Sequence, residues 1–182
     1  MFLRSLTIRR TPGRFSLMKM PESLAESFHR QIDLELASSI AYLQMAAYFD
    51  GRSLPGMATW MRMQSEEERA HALKFFDHVL NRGNSVALGA GEAPKTDFTS
   101  AVDAFETALA HEQRVSTAIS DLYAAALADG DSSSFGLLQW FLDEQIEEES
   151  TVSDIVEQLK LIGDDGGALL LLDRELGQRQ VV

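Results

Sequence analysis

A glutamate and a histidine stand in this 182-residue chain where a buried helix face calls for leucines. The row Met57, Met61, Gln64, Glu68, His71, Phe75, Val79 steps by threes and fours, so it forms one side of a helix. It is apolar at both ends and ionisable in the middle. Glu68 and His71 lie three apart and point the same way. An isolated charge in an apolar interior is strongly unfavourable unless it is paired or bound to a cation. A carboxylate and an imidazole held together on an inward face have the chemistry of metal ligands.

Three other segments carry the same anomaly at the same level. Glu35 interrupts the stripe Phe28, Ile32, Ser39, Tyr42, Ala46, Phe49. Glu112 interrupts Val102, Phe105, Leu109, Ser116, Ile119, Tyr123. Gln145 and Glu148 interrupt Leu138, Phe141, Val152, Ile155, Leu159. Runs such as Glu66–Glu68 and Glu147–Glu149 are ordinarily solvated faces, and any one of them alone would be read that way. Four carboxylates at the midpoints of four stripes are not, because burying them unpaired would cost several kcal/mol each. A domain is stable by only about 5–15 kcal/mol. The chain has no cysteine, so thiolate-held zinc, iron–sulfur clusters and thiol catalysis are excluded. Oxygen and nitrogen ligands of this mixture suit iron or manganese, with zinc as a competitor. Tyr42, two turns after Glu35, is either a core tyrosine or a phenol that serves the metal as an electron or hydrogen-bond donor.

The elements that must position these groups are four long helices and a short fifth. Periodicity and punctuation predict them at about Pro21–Asp50, Pro55–Arg82, Asp97–Ala128, from the Asp131–Ser134 cap signal to Ile162, and at Ala168–Leu176. Gly51, Gly83 and Gly163 close helices. The stretch from Asn84 to Thr96, with Gly89, Gly91 and Pro94, is the one long connection. Short, long and short connections describe an all-α four-helix bundle with one crossover, in which the second and third helices run parallel. Leu169–Leu172 is apolar all round, which predicts that the last helix packs against copies of itself about a symmetry axis.

Composition narrows the function further. A net charge of −12 argues against a nucleic-acid surface, and no apolar run is long enough to span a membrane. Residues 1–20 hold five bases (Arg4, Arg9, Arg10, Arg14, Lys19) and no acid, leaving −17 on the remainder. An acidic body attracts cations. We read residues 1–20 as a basic extension outside a domain spanning 21–178. A cytoplasmic location is expected, with plastid-type targeting by the extension as the alternative.

The ordered set Glu35, Tyr42, Glu68-Arg69-Ala70-His71, His111-Glu112-Gln113, Gln139-Trp140-Phe141 and Glu144-Gln145-Ile146-Glu147-Glu148-Glu149 resembles ferritin, closest to the non-haem prokaryotic type. The likeness covers about residues 21–178, with Gly167–Leu176 similar to the family's short fifth helix. It implies an iron-storage protein with a di-iron ferroxidase centre using Fe(II) and O2. Glu35, Glu68 and His71 would hold one iron, Glu68 would bridge, and Glu112 and Glu148 would hold the second with Gln145 beside it. A third iron would sit at Glu67, Glu144 and Glu147. A shell of 24 subunits is implied too. Gln145-x-x-Glu148 departs from the second Glu-x-x-His of the general di-iron bundle. Together with Arg69, where a haem-ligating Met would follow the bridging glutamate, it points away from a bacterioferritin, and no haem is expected. The lack of cysteine argues against a rubrerythrin-type peroxidase. Another di-iron oxidase, or a metal buffer of the same fold without catalysis, is the competing reading.

Overall fold

The computed structural model describes residues 19–179. Four long helices, α1 (Glu22–Asp50), α2 (Pro55–Asn81), α3 (Ala101–Ala128) and α4 (Phe135–Ile162), are followed by a short α5 (Gly166–Leu176), and no strand occurs among the described residues. The basic extension assigned to residues 1–20 lies outside the described residues except for its last two.

Three helix starts differ from expectation for local reasons. Helix α3 begins at Ala101, not Asp97, because Ser100 is extended and its hydroxyl accepts the Asp103 N–H. That contact satisfies one of the donors a helix start leaves free. The cap signal at Asp131–Ser134 forms a 3₁₀ turn over Ser132–Ser134, with no side-chain cap on α4. Asp131 instead receives both Arg82 nitrogens, at 2.6 and 2.9 Å, and the Ser134 hydroxyl at 2.5 Å. This buried network ties the end of α2 to the α3–α4 turn. Helix α5 starts two residues earlier than expected, capped by Asp165, whose carboxylate accepts from Gly167 and Ala168.

Residues 82–100 run along the flank of α1 from its start to its end. Asn84 exchanges hydrogen bonds with the Met20 backbone, the Ser85 carbonyl meets His29, and Gly89 N donates to Asp33. Phe98 packs on Tyr48 at the far end. The chain thus returns to the level where α2 began before α3 starts, so α2 and α3 are parallel. Pairs α1–α2 and α3–α4 are antiparallel hairpins closed by short turns.

Two apolar clusters fill the bundle. One, around Phe28, Phe75 and Phe141, lies toward the start of α1. The other, around Phe49, Trp60 and Phe105, lies toward its end and includes Leu172 and Leu176 of α5. Each buried aromatic contributes about 1.5–3 kcal/mol. The ionisable stripe positions fall between the clusters, so well-packed layers above and below clamp a polar layer.

Helix α5 docks on the first turn of α2. Asp173 is buried and its Oδ1 accepts the Met57 N–H at 2.8 Å, serving as an N-terminal cap delivered from elsewhere in the chain. The approach is so close that a Cβ on Gly56 would collide with the Asp173 backbone carbonyl, and one on Gly177 would lie 2.9 Å from Gly56 Cα. Gly56→Ala is therefore expected to lose about 1–3 kcal/mol and to expose α5 to limited proteolysis. A variant with unchanged melting and cleavage would show that α5 tolerates displacement. Of the consecutive leucines, Leu172 is buried while Leu170 and Leu171 remain exposed in the single chain.

Candidate metal centre

Each long helix delivers its ligand-type side chain to the polar layer from a stripe that is otherwise core. Glu35, Glu68, His71, Glu112 and Glu148 are all buried, Glu35 and Glu112 completely. The α1–α2 hairpin brings Glu35, Glu68 and His71 within 4.8 Å of one another through one ligand atom each. Glu112 and Glu148 come from the α3–α4 hairpin. They stand outside that three-residue group but face it closely enough for their charges to act on Glu68.

What touches these carboxylates shows how they are aimed. Gln31, one turn before Glu35, donates to Glu35 Oε1 at 2.8 Å. Gln64, one turn before Glu68, donates to Glu148 Oε2 at 2.8 Å. The Tyr42 hydroxyl makes a very short bond to Glu112 Oε1. The Gln145 amide reaches Glu112 Oε2, the Glu112 carbonyl and Ser116 Oγ, each at 3.3 Å. With both carboxyls ionised, the second oxygen of Glu35, both oxygens of Glu68 and Nδ1 of His71 receive no hydrogen bond from any described group; the one contact open to them is a proton on Glu68 shared with Glu35. Four orphaned polar atoms in one buried spot are costly unless a proton or a cation fills the space between them. A divalent cation fits that donor set.

Titration behaviour follows from burial. Desolvation lifts Glu112 to about 7, only partly opposed by the bonds from Tyr42 and Gln145. Desolvation also lifts Glu148 to about 7, with the Glu112 charge adding to the rise and the Gln64 bond opposing it. Glu68 is pushed well above the usual carboxylate range by burial and then by Glu35 and Glu112, and Glu35 is raised chiefly by burial. Tyr42 is held well above the ordinary phenol value by burial and by Glu112, so it remains a hydrogen-bond donor at neutral pH. His71 falls to about 4 through burial and the nearby Lys74 charge. Its imidazole is therefore neutral at pH 7, the form that ligates a metal. The 3.9 Å separation between His71 Nδ1 and Glu68 Oε2 is accordingly not an ion pair. The Trp140 and Phe141 rings stand edge-on to the imidazole, with centroids 5.6 and 5.4 Å away, and fix its orientation.

The residues expected at a third position are arranged differently. Glu144 is part-exposed and feels the charges of Lys74, Glu147 and Glu67, so the three carboxylates share a neighbourhood. They do not converge to common ligand distance, since the only group meeting that condition among the described residues is Glu35, Glu68 and His71. Glu67 is paired with Arg179 at 2.7 Å. The remaining histidines do other work: His29 meets the Ser85 carbonyl, His78 meets Ser134 Oγ, and His111 contacts Arg114.

Sequence reading did not assign roles to Gln31, Gln64 or Arg179. The glutamines carried a signal, an amide one turn before a buried glutamate on the same helix face. Arg179 carried none, because its partners are more than a hundred residues away in sequence.

A family profile for the ferritin-like domain matches residues 25–162. The bacterial non-heme ferritin of Staphylococcus aureus strain USA300 is 38% identical over 160 residues, covering 88% of this chain and 96% of the relative. That of Staphylococcus haemolyticus matches at the same identity and extent. Among solved structures, an open-pore ferritin from the hyperthermophilic archaeon Archaeoglobus fulgidus superposes with a TM-score of 0.88 at 44% identity, covering 90% of this chain and all of that one. An engineered closed form of the same archaeal protein aligns equally well, at TM-score 0.88 and 44% identity. With the bundle, the crossover and the short fifth helix already in agreement, this breadth of sequence identity establishes that the chain belongs to the ferritin family.

Proposed function

We propose that this chain oxidises Fe(II) with O2 at a pair of iron positions inside each subunit and passes ferric iron to a mineral held within a 24-subunit shell. The observation that carries the reading is the set of orphaned ligand-type atoms on Glu35, Glu68 and His71, faced by Glu112 and Glu148 across a buried layer. In this reading Glu35, Glu68 and His71 take the first Fe(II), Glu112 and Glu148 take the second, and Glu68 bridges. Anionic oxygen ligands favour the ferric state over the ferrous. Two adjacent Fe(II) ions can each give one electron to O2, which with two protons yields hydrogen peroxide and two Fe(III).

The protein groups supply position and protons. Gln31 and Gln64 hold one oxygen each of Glu35 and Glu148, leaving the other oxygens for iron. Tyr42 and Gln145 hold Glu112 from its two oxygens. Glu112 and Glu148, half-protonated near pH 7, release protons as Fe(II) enters and so provide them close to where oxygen is reduced. Tyr42, hydrogen-bonded to Glu112, would be the phenol beside the metal that donates a hydrogen bond or an electron. Glu67, Glu144 and Glu147 would act as a looser acidic station through which ferric iron leaves.

A metal buffer without catalysis would bind the same ions and consume no oxygen. Adding two Fe(II) per chain to metal-free protein in an oxygen electrode is expected to consume one O2 per two Fe(II), in a phase much faster than iron autoxidation in the same buffer. Uptake no faster than buffer alone would reject the ferroxidase reading and leave the buffer.

A further inference from the structure

Gln64 is fully buried, and both ends of its amide are engaged. Its Nε2 donates to Glu148 Oε2 at 2.8 Å, and its Oε1 receives a short bond from an Arg179 guanidinium nitrogen. The other terminal nitrogen of Arg179 donates to Glu67 Oε2 at 2.7 Å, and the guanidinium carbon lies 5.2 Å from the centre of the Trp60 ring. Trp60, Gln64 and Glu67 follow one another at four and three residues, so Arg179 lies along a single face of α2. The same helix carries Glu68 and His71.

The direction of the Gln64 amide has a physical cause. A guanidinium has donors only, so it can pair only with the oxygen end of an amide, which accepts from it. With that oxygen turned toward Arg179, the NH₂ must face Glu148. A donor at Glu148 favours the ionised carboxylate, the form that binds a cation, and holds it in one rotamer. Without Arg179 only the Glu148 carboxylate holds this orientation, and the flipped amide, its oxygen turned toward Glu148, becomes open to a protonated carboxyl that would donate to it in place of binding a cation. The arginine does not arrive by chance. Asp173 caps α2 through Met57, and the Gly56–Gly177 contact brings the end of α5 against α2, which sets Arg179 down two residues later.

We propose that Arg179 is a positioning residue for the second metal position, acting through Gln64 on Glu148. This rests on the assignment of Glu148 as a ligand under the proposed function. Arg179 makes no hydrogen bond or ion pair with Glu35, Glu68 or His71, so the first metal position is not its direct target.

The test uses Co(II), which binds without being oxidised in anaerobic titration and whose visible bands report its coordination. The full chain is expected to bind two Co(II) in separable steps. In R179A the second step should weaken about tenfold, the scale of losing a group that orients a ligand, with altered bands, while the first step is unchanged. R179K, which keeps the charge but loses the two-pronged donor geometry, should recover part of the loss. Q64L should reproduce most of R179A, and the double variant should lose clearly less than the sum of the two, since the main coupling runs through one contact while the Arg179 charge adds a smaller direct attraction on Glu148. Equal weakening of both steps would mean a merely structural role and overturn the proposal. So would an unchanged second step, additive losses in the double variant, or a step that strengthens because Arg179 competes with metal at Glu67. A parent chain that binds two Co(II) yet consumes no O2 with Fe(II) would remove the ferroxidase reading and leave this result standing. An unaffected second step in R179A would remove the positioning role and leave ferroxidase activity untouched.

Discussion

Replacing Glu68 with alanine is expected to abolish the fast phase of Fe(II) oxidation, lowering its rate by more than about a hundredfold. Losing a group that merely orients a ligand already costs 10–100-fold, and Glu68 is the one ligand assigned to both iron positions. Neither of its oxygens accepts a hydrogen bond from a neutral donor, so no other group in the layer substitutes for them. Glu35 and His71 would be left with two ligand atoms, and Glu112 and Glu148 would face them without a shared anion. The alanine also leaves a cavity, so Glu68→Gln provides the volume-conserving control. It keeps the shape and removes the charge, and it should be nearly as slow. Stopped-flow measurement of ferric absorbance with two Fe(II) per chain decides the matter. A fast phase of parental rate in both variants would show that the iron pair is not held at this layer.

The second large effect is on stability, and its sign depends on metal. Glu112 and Glu148 titrate near 7 in the folded protein against 4.5 for the ordinary side chain. A carboxyl whose folded value is raised contributes stability that is fully present below the unfolded value and is lost as pH rises through the folded one. Glu35 and Glu68 shift in the same direction. His71 acts oppositely: lowered from 6.5 to about 4, it contributes stability present above 6.5 and lost as pH falls through 4. Four carboxyls outweigh one imidazole, so metal-free protein should become less stable between about pH 4.5 and 7. A bound divalent cation takes the place of those protons, and its affinity rises across the same window. At a free concentration a hundred times its dissociation constant, a cation stabilises by about 2.7 kcal/mol. For a chain of this size that is roughly 5–10 °C in melting temperature. Calorimetry with and without Zn(II), at about pH 5 and about pH 8, should show a metal-induced rise that is small in acid and large in base. A metal-free protein more stable at the higher pH, with a Zn(II) shift independent of pH, would contradict the burial of these carboxyls as charged groups.

Much of the architecture was legible in the chain itself. The stripes of α1, α2 and α4 are buried at every position named from periodicity, because a 3.6-residue repeat allows one inward face and the bundle has one core. In α3 only Phe105, Glu112 and Ile119 of the seven named positions are buried; the inward face is turned toward Ala104, Ala108, Val115, Leu122 and Ala126, and leaves Val102, Leu109, Ser116 and Tyr123 half-buried at its edge. The long glycine-containing connection implied the crossover, since a short one would have made α2 and α3 a hairpin. Departures came where local signals compete. Asp97 and Asp131 both resembled helix starts, but Ser100 caps α3, and Asp131 is taken by Arg82, a partner 49 residues away.

The candidate site divides along the same line. Which residues enter the polar layer followed from sequence, because an ionisable side chain on an apolar stripe has nowhere to go except inward. How the layer is wired was decided only by tertiary structure. That Gln64 serves Glu148 of another helix rather than Glu68 of its own turn depends on how α2 and α4 face each other. That Glu67 is paired to Arg179, instead of converging with Glu144 and Glu147, depends on where α5 ends. Periodicity records which way a side chain points relative to its own helix. It holds no information about the distance to a partner 84 or 112 residues away, which is set by packing between helices, and here by two glycines that let α5 lie directly on α2.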